Sequence, residues 1–176
     1  MASTKWVIDP THSEIEFKVR HLMITNVTGS FTSFSSEVET DGDDFTTARI
    51  SFTAPITSIS TGNEQRDGHL KTADFFELEK YPDLKFVANG LKKKGEGEYE
   101  LEGDLTIKDV TKKIKLNVEA GGVAKDPWGQ TKAGFSVTGK INRKDFGLNW
   151  SAVTEAGGVV VSDEVRIQAE VQYIKQ

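Results

Sequence analysis

The chain has 176 residues, enough for one domain with a core of its own, and no linker-like stretch divides it, so it reads as a single domain over 1–176. A net charge of -5 at pH 7 argues against a nucleic-acid partner, which needs a basic surface. The lack of cysteine excludes disulfides, thiolate catalysis and cysteine metal sites. In chain order, a short strand over Lys5 to Asp9 is closed by Pro10, and a long one runs from Glu14 to Leu22. There Ile15, Phe17, Val19 and His21 share one parity against Glu14, Glu16, Lys18 and Arg20, as a strand with one dry and one wet face requires. Strand patterns follow at Gly29 to Thr40 and Ala48 to Ala54, joined by the turn Asp41-Gly42-Asp43-Asp44, and Ile56 to Ser60 continues after Pro55.

Between Thr61 and Lys80 the two-residue period fails. Thr61-Gly62-Asn63-Glu64 has the spacing of a capping box, and Arg66, His69, Leu70 and Ala73 fall on one helical face. One short helix ending near Phe75 is expected. Strands resume at Leu84 to Leu91, Tyr99 to Ile107, Lys113 to Ala120 and Lys132 to Asn142. An irregular stretch, Arg143 to Gly158, precedes the last strand, Val159 to Ile174. Within it Val165, Ile167, Ala169, Val171 and Tyr173 alternate with charged or amide residues.

About eight to ten antiparallel strands joined by short turns close naturally into an up-and-down barrel, which leaves no open edge. A two-sheet sandwich is the competing architecture, and the length of the strands favours the barrel. The fold class is therefore all-β, an extended antiparallel barrel with one short helical insertion.

Several motifs in order resemble the YceI-like family: Trp6-Val7-Ile8-Asp9, His12-Ser13, Phe17 to Leu22 and Gly29-Ser30-Phe31 at the start, then Arg66-Asp67-Gly68-His69-Leu70, Asp74-Phe75-Phe76 and Tyr81-Pro82. Gly103 to Thr111 and Ile141 to Gly147 complete the resemblance, with Asp109 where a glycine is more usual. It implies a lipocalin-like barrel that binds a long apolar molecule, typically a polyisoprenoid or other lipid-like chain, with no agreed enzymatic activity. Many members are exported to the periplasm. Residues 1–13 show no leader pattern, so the chain as given is expected in the cytoplasm, or in the periplasm if a leader has been removed.

On this reading the phenylalanine-rich dry face lines a hollow. Its wall residues are Phe17, Val19, Phe31, Phe34 and Phe52 in the first half, then Phe86, Leu105, Ile107, Phe135 and Ile141. Gly103, Gly139, Ala88, Ala120 and Ala169 stand where larger side chains could have filled the space. His21, Arg66 and His69 are candidates for the rim or for a polar head group. The alternative for the Arg66 stretch is that Arg66 and Asp67 tie the helix to the barrel. Arg143 with Asp145 reads as structural, and Trp128 as a packing residue or a lid.

A ligand-free structural or stress-response barrel is the alternative function, its mark being an interior packed solid. A hydrolase is a weaker reading, because no Gly-x-Ser-x-Gly and no zinc-helix spacing accompany the three histidines. The expectation is a binding protein and not an enzyme, with no metal, no catalytic cofactor, no nucleic acid and no stable membrane insertion. Its partner would be a hydrophobic small molecule, and a homodimer is compatible with a protruding ligand.

Overall fold

Among the described residues, period-two alternation becomes eleven strands in one sheet. A computed structural model describes residues 2–150 and 161–176. The strands are β1 (Ser3–Ile8), β2 (Glu14–His21), β3 (Thr25–Phe31), β4 (Ser35–Asp41), β5 (Asp44–Pro55) and β6 (Ile59–Ser60). After the helix α1 (Glu64–Leu70) come β7 (Asp83–Gly95), β8 (Glu98–Ile107), β9 (Val110–Lys125), β10 (Thr131–Asn142) and β11 (Glu164–Lys175). Every pairing is antiparallel, and β1 against β11 closes the sheet on itself. The predicted irregular stretch to Gly158 and the first residues of the predicted last strand, Val159 and Val160, lie partly outside the described residues.

The strands form eight staves, because three of them are broken and continued. β1 runs on into β2 through the 3-10 turn Pro10–His12, β3 into β4, and β5 into β6 through Ile56–Ser58. Proline supplies two of the interruptions, since it lacks an N–H for the ladder. Each break also flips the inward parity. Trp6 and Ile8 are buried in β1 but the odd positions face inward in β2, and buried Phe31 in β3 gives way to Ser36, Val38 and Thr40 in β4. Gly29 to Thr40 is therefore two strands and not the single one expected. The break is pinned by Ser58, whose carbonyl accepts the Thr32 N–H at 2.9 Å and whose Oγ donates to the Ser33 carbonyl at 3.0 Å.

The helix also differs from expectation. Its N-cap is Asn63, whose Oδ1 accepts the Arg66 N–H at 3.0 Å, and not Thr61. Thr61 instead donates both its N–H and its hydroxyl to Asp67 Oδ1, at 2.8 and 2.6 Å. Gly68 weakens so short a helix, and the Thr72 hydroxyl donates to the His69 carbonyl at 2.6 Å, so α1 stops at Leu70 and not near Phe75. Tight turns follow, carrying Phe75 and Phe76 under the barrel.

One end of the barrel is plugged by aromatic rings. Trp6 is fully buried, its indole N–H donating to Thr40 Oγ1 at 3.1 Å. Its ring lies 5.0 Å from that of Phe45, which in turn lies 5.0 Å from Phe135. Trp128 contributes nothing to this plug. It is 84% exposed at the tip of the β9–β10 hairpin, so neither packing nor a lid describes it.

Candidate functional site

Inward-facing side chains from every stave leave a hollow of about 260 Å³. Its wall is apolar except for Glu16, Arg143 and Tyr173. Strands β7 to β9 supply one side through Leu84, Phe86, Leu101, Leu105, Ile107 and Leu116, and β10 and β11 the other through Val137, Ile141, Ile167 and Ala169. Leu70, Phe75 and Phe76 close over it from the helical insert. The Tyr173 hydroxyl is no free polar handle. It pairs with Ser36 Oγ at 2.8 Å, and Ser36 donates on to the Ser51 carbonyl at 2.6 Å. Burial pushes the Tyr173 phenol above its ordinary range, against the opposing pull of that hydrogen bond, so it stays neutral.

Of the wall residues read from sequence, Phe17, Val19, Phe31, Phe52 and Phe86 line this hollow, as do Leu105, Ile107, Phe135 and Ile141. Phe34 does not. It sits at the β3–β4 break, where the inward parity flips, and its ring stacks on Phe52 with centroids 6.2 Å apart. Phe45, Phe75, Phe76, Leu116 and Leu148 also line it and were missed. Leu116 was legible in the alternation of β9, whereas Phe75 and Leu148 sit in irregular chain without a period to read.

The small residues work differently from the expectation that they leave gaps. A Cβ on Gly103 would meet Phe86 Cζ at 2.5 Å and both Ala88 Cβ and the Val87 carbonyl oxygen at 2.7 Å. One on Gly29 would meet Phe17 Cζ at 2.2 Å, and one on Gly139 would meet Leu116 Cδ2 at 2.3 Å. These glycines are beds on which neighbouring side chains lie flat, which keeps rings against the wall and out of the lumen. Gly103→Ala is expected to destabilise by about 1–3 kcal/mol, because the Val87 backbone cannot move aside as a ring can. Urea unfolding checks this, and Gly29→Ala, whose nearest neighbours are atoms of the Phe17 ring, should cost less.

The rim candidates divide. His21 is exposed at the end of β2, where it bridges to Val161. Arg66 spends its guanidinium locally, donating to Thr61 Oγ1 at 2.7 Å and to the Thr61 carbonyl at 2.9 Å. His69 Nε2 lies 2.8 Å from Asp74 Oδ2, with its ring packed edge-on to Phe75 and Trp150 at 5.2 and 5.0 Å. Arg66 and Asp67 thus both bind Thr61, the residue that follows β6.

Arg143 partners Asp163 at 3.8 Å, not Asp145, which is exposed. Its Nε donates to the Ser162 carbonyl at 2.9 Å, and Nη1 to the carbonyls of Leu148 and Trp150 at 2.5 and 2.7 Å. Nη2 reaches the Val161 carbonyl at 3.4 Å. The guanidinium is a clasp across one end of the hollow, with its donors already committed.

Among the described residues, His12 and its neighbours form no nucleophile–base pair. His12 Nδ1 is 2.8 Å from Asp9 Oδ2, but the neighbouring Ser13 Oγ accepts the Gln172 N–H at 3.0 Å. Among the described residues no three His, Asp or Glu side chains gather to hold a metal ion, and no helix is long and apolar enough to cross a membrane.

A closed antiparallel barrel around an apolar lumen is the lipocalin-like class of architecture. Within it, residues 6–173 match the YceI-like domain, and the chain belongs to the YceI-like family. A UPF0312 protein of Staphylococcus aureus (strain MSSA476) is 39% identical over 171 residues, 97% of each chain. The crystal structure of the Campylobacter jejuni YCEI protein superposes with a TM-score of 0.77 at 36% identity, covering 89% of this chain and 90% of that one. Two more distant structures share the fold. Burkholderia cenocepacia BcnA is 22% identical with a TM-score of 0.79, over 94% of this chain and 98% of that one. A polyisoprenoid binding domain from Saccharophagus degradans is 16% identical with a TM-score of 0.68, over 97% and 98%.

Proposed function

We propose that the protein binds a long-chain isoprenoid or similar amphiphile noncovalently inside the barrel, and stores or carries it without chemical change. The observation that carries this is the hollow itself, an apolar lumen of about 260 Å³ enclosed by the barrel. A solid interior, the mark of a ligand-free structural barrel, is not what these side chains make. The polyisoprenoid-binding domain with the same fold supports the class of ligand.

The energetics are sufficient. A prenyl chain burying roughly 500 Å² gains about 12 kcal/mol as an upper bound. Losses from immobilisation and chain ordering take back several kcal/mol. What remains corresponds to micromolar or tighter binding without any polar contact. The apolar wall fixes shape and polarity, not the identity of a head group.

Organic extraction of protein purified without delipidation, followed by mass spectrometry, should release an apolar chain, and the emptied protein should take up a fluorescent prenyl probe. Ala169→Trp sets a ring into the lumen opposite Val137, its cross-strand neighbour. It is expected to cut probe affinity at least tenfold while the circular dichroism spectrum is kept. A wild-type protein that yields no lipid and takes up no prenyl or acyl probe overturns the reading.

A further inference from the structure

Strand β2 is cavity wall through Ile15, Phe17 and Val19, and at its end the chain turns back into β3 through Leu22 and Met23. The Ile24 N–H donates to the His21 carbonyl at 3.1 Å, and Leu22 and Met23 both have positive φ, 53° and 60°. His21 pairs with Thr25, so this is a three-residue hairpin connection with two successive left-handed residues, where Asn and Gly are favoured and large side chains are strained. The chain places leucine and methionine in it instead. It also leaves them in the open: Leu22 is 40%, Met23 52% and Ile24 71% exposed.

Two other features accompany this tip. From Phe17 to Ser36 there is no Asp or Glu, while Lys18, Arg20 and His21 lie beside the turn, in a chain whose net charge is -5. The mounting is firm. The Arg20 guanidinium donates to the Met23 carbonyl at 3.0 Å, the Arg20 N–H to Ser162 Oγ at 3.0 Å, and Ser162 is held by buried Arg143. A strained turn that presents consecutive apolar side chains on a locally cationic, rigid hairpin has the chemistry of an interfacial anchor.

We infer that the β2–β3 hairpin docks the barrel on an anionic lipid bilayer, with Leu22, Met23 and Ile24 entering the interface and Lys18 and Arg20 facing the head groups. Contact at the end of a wall strand would bring the lumen to the source of its cargo. The inference rests on the carrier reading for its purpose, but not for its test. Cosedimentation of delipidated protein with phosphatidylcholine vesicles, with and without phosphatidylglycerol, reads docking without cargo.

Wild-type protein is expected to bind the phosphatidylglycerol vesicles at least tenfold better than the neutral ones, and to lose that preference in high salt. The double substitution Leu22→Asn with Met23→Gly suits both positive-φ positions, so the fold is kept, and should reduce vesicle binding at least tenfold with prenyl-probe uptake unchanged. Equal binding by this variant, or no binding by wild-type protein, overturns the inference. So does a dimer that this variant dissociates, because the tip then covers a second copy. Vesicle binding without probe uptake would instead sink the carrier reading and leave the docking surface standing.

Discussion

Arg143→Met should lower the stability of the barrel by about 3–5 kcal/mol. The side chain is 3% exposed, and burial works against its charge while Asp163 favours it. What compensates is the set of carbonyls of Ser162, Leu148, Trp150 and Val161, which surround the guanidinium plane. Methionine fills a similar volume but leaves those oxygens without donors, and each buried orphan costs about 1–3 kcal/mol. The loss would loosen the 3-10 turn Arg143–Phe146 from β11 and uncover the end of the lumen that Leu148 lines. Arg143→Lys should recover less than half, since one ammonium cannot address acceptors spread around a planar fork. Urea unfolding measures both, and the melting temperature of Arg143→Met should fall by roughly 10 °C. A loss under 1 kcal/mol would mean that the carbonyls find other partners and that the clasp is not what closes this end.

The period-two signal carried most of the architecture because a half-buried strand must alternate. β11 follows it from Val165 to Tyr173 and pairs with β10 throughout. Phe34 lies beyond that signal, because it stands between β3 and β4, where the break flips the inward parity. The three-residue step from Phe31 to Phe34, inside a run otherwise spaced by two, was the sequence trace of that flip. The helix start was read at Thr61 because its hydroxyl and Glu64 have capping-box spacing. The fold gave the cap to Asn63, two residues on, and used Thr61 to hold Asp67 and Arg66. The contacts of Arg143 are hidden from the sequence for a deeper reason. Its main partners are backbone carbonyls, which every residue carries, so no side-chain spacing could have announced them. The wall was legible wherever it lies on strands. Where it lies on the turns after α1 and β10, at Phe75, Phe76 and Leu148, only the folded chain shows it.

Asp9→Asn is expected to cost about 3 kcal/mol at pH 7 and roughly 1 kcal/mol less than that near pH 3, a dependence that isolates one carboxylate. Asp9 ends β1 where Pro10 breaks the stave, and it is buried. Its Oδ2 receives Lys132 Nζ at 2.9 Å and lies 2.8 Å from His12 Nδ1, while Oδ1 accepts the Thr11 N–H at 3.0 Å and hydroxyl at 2.7 Å. Burial alone would raise its pKa. The hydrogen bonds from Lys132, Thr11 and His12 outweigh burial and hold the carboxyl well below the usual carboxylate range. A carboxylate depressed by folding stabilises fully above its unfolded value of about 3.9, and that contribution drains away as pH falls toward the folded value. The gap between wild type and Asp9→Asn, from urea unfolding, should therefore be flat from pH 7 to about 5 and close progressively below about 4. Lys132 keeps Asp126 at 3.9 Å as a fallback, which places the loss at the lower end for a broken buried pair. A gap that stays constant between pH 5 and 3 would show that asparagine fails through shape, and that the Lys132 ion pair does not hold the broken stave to β10.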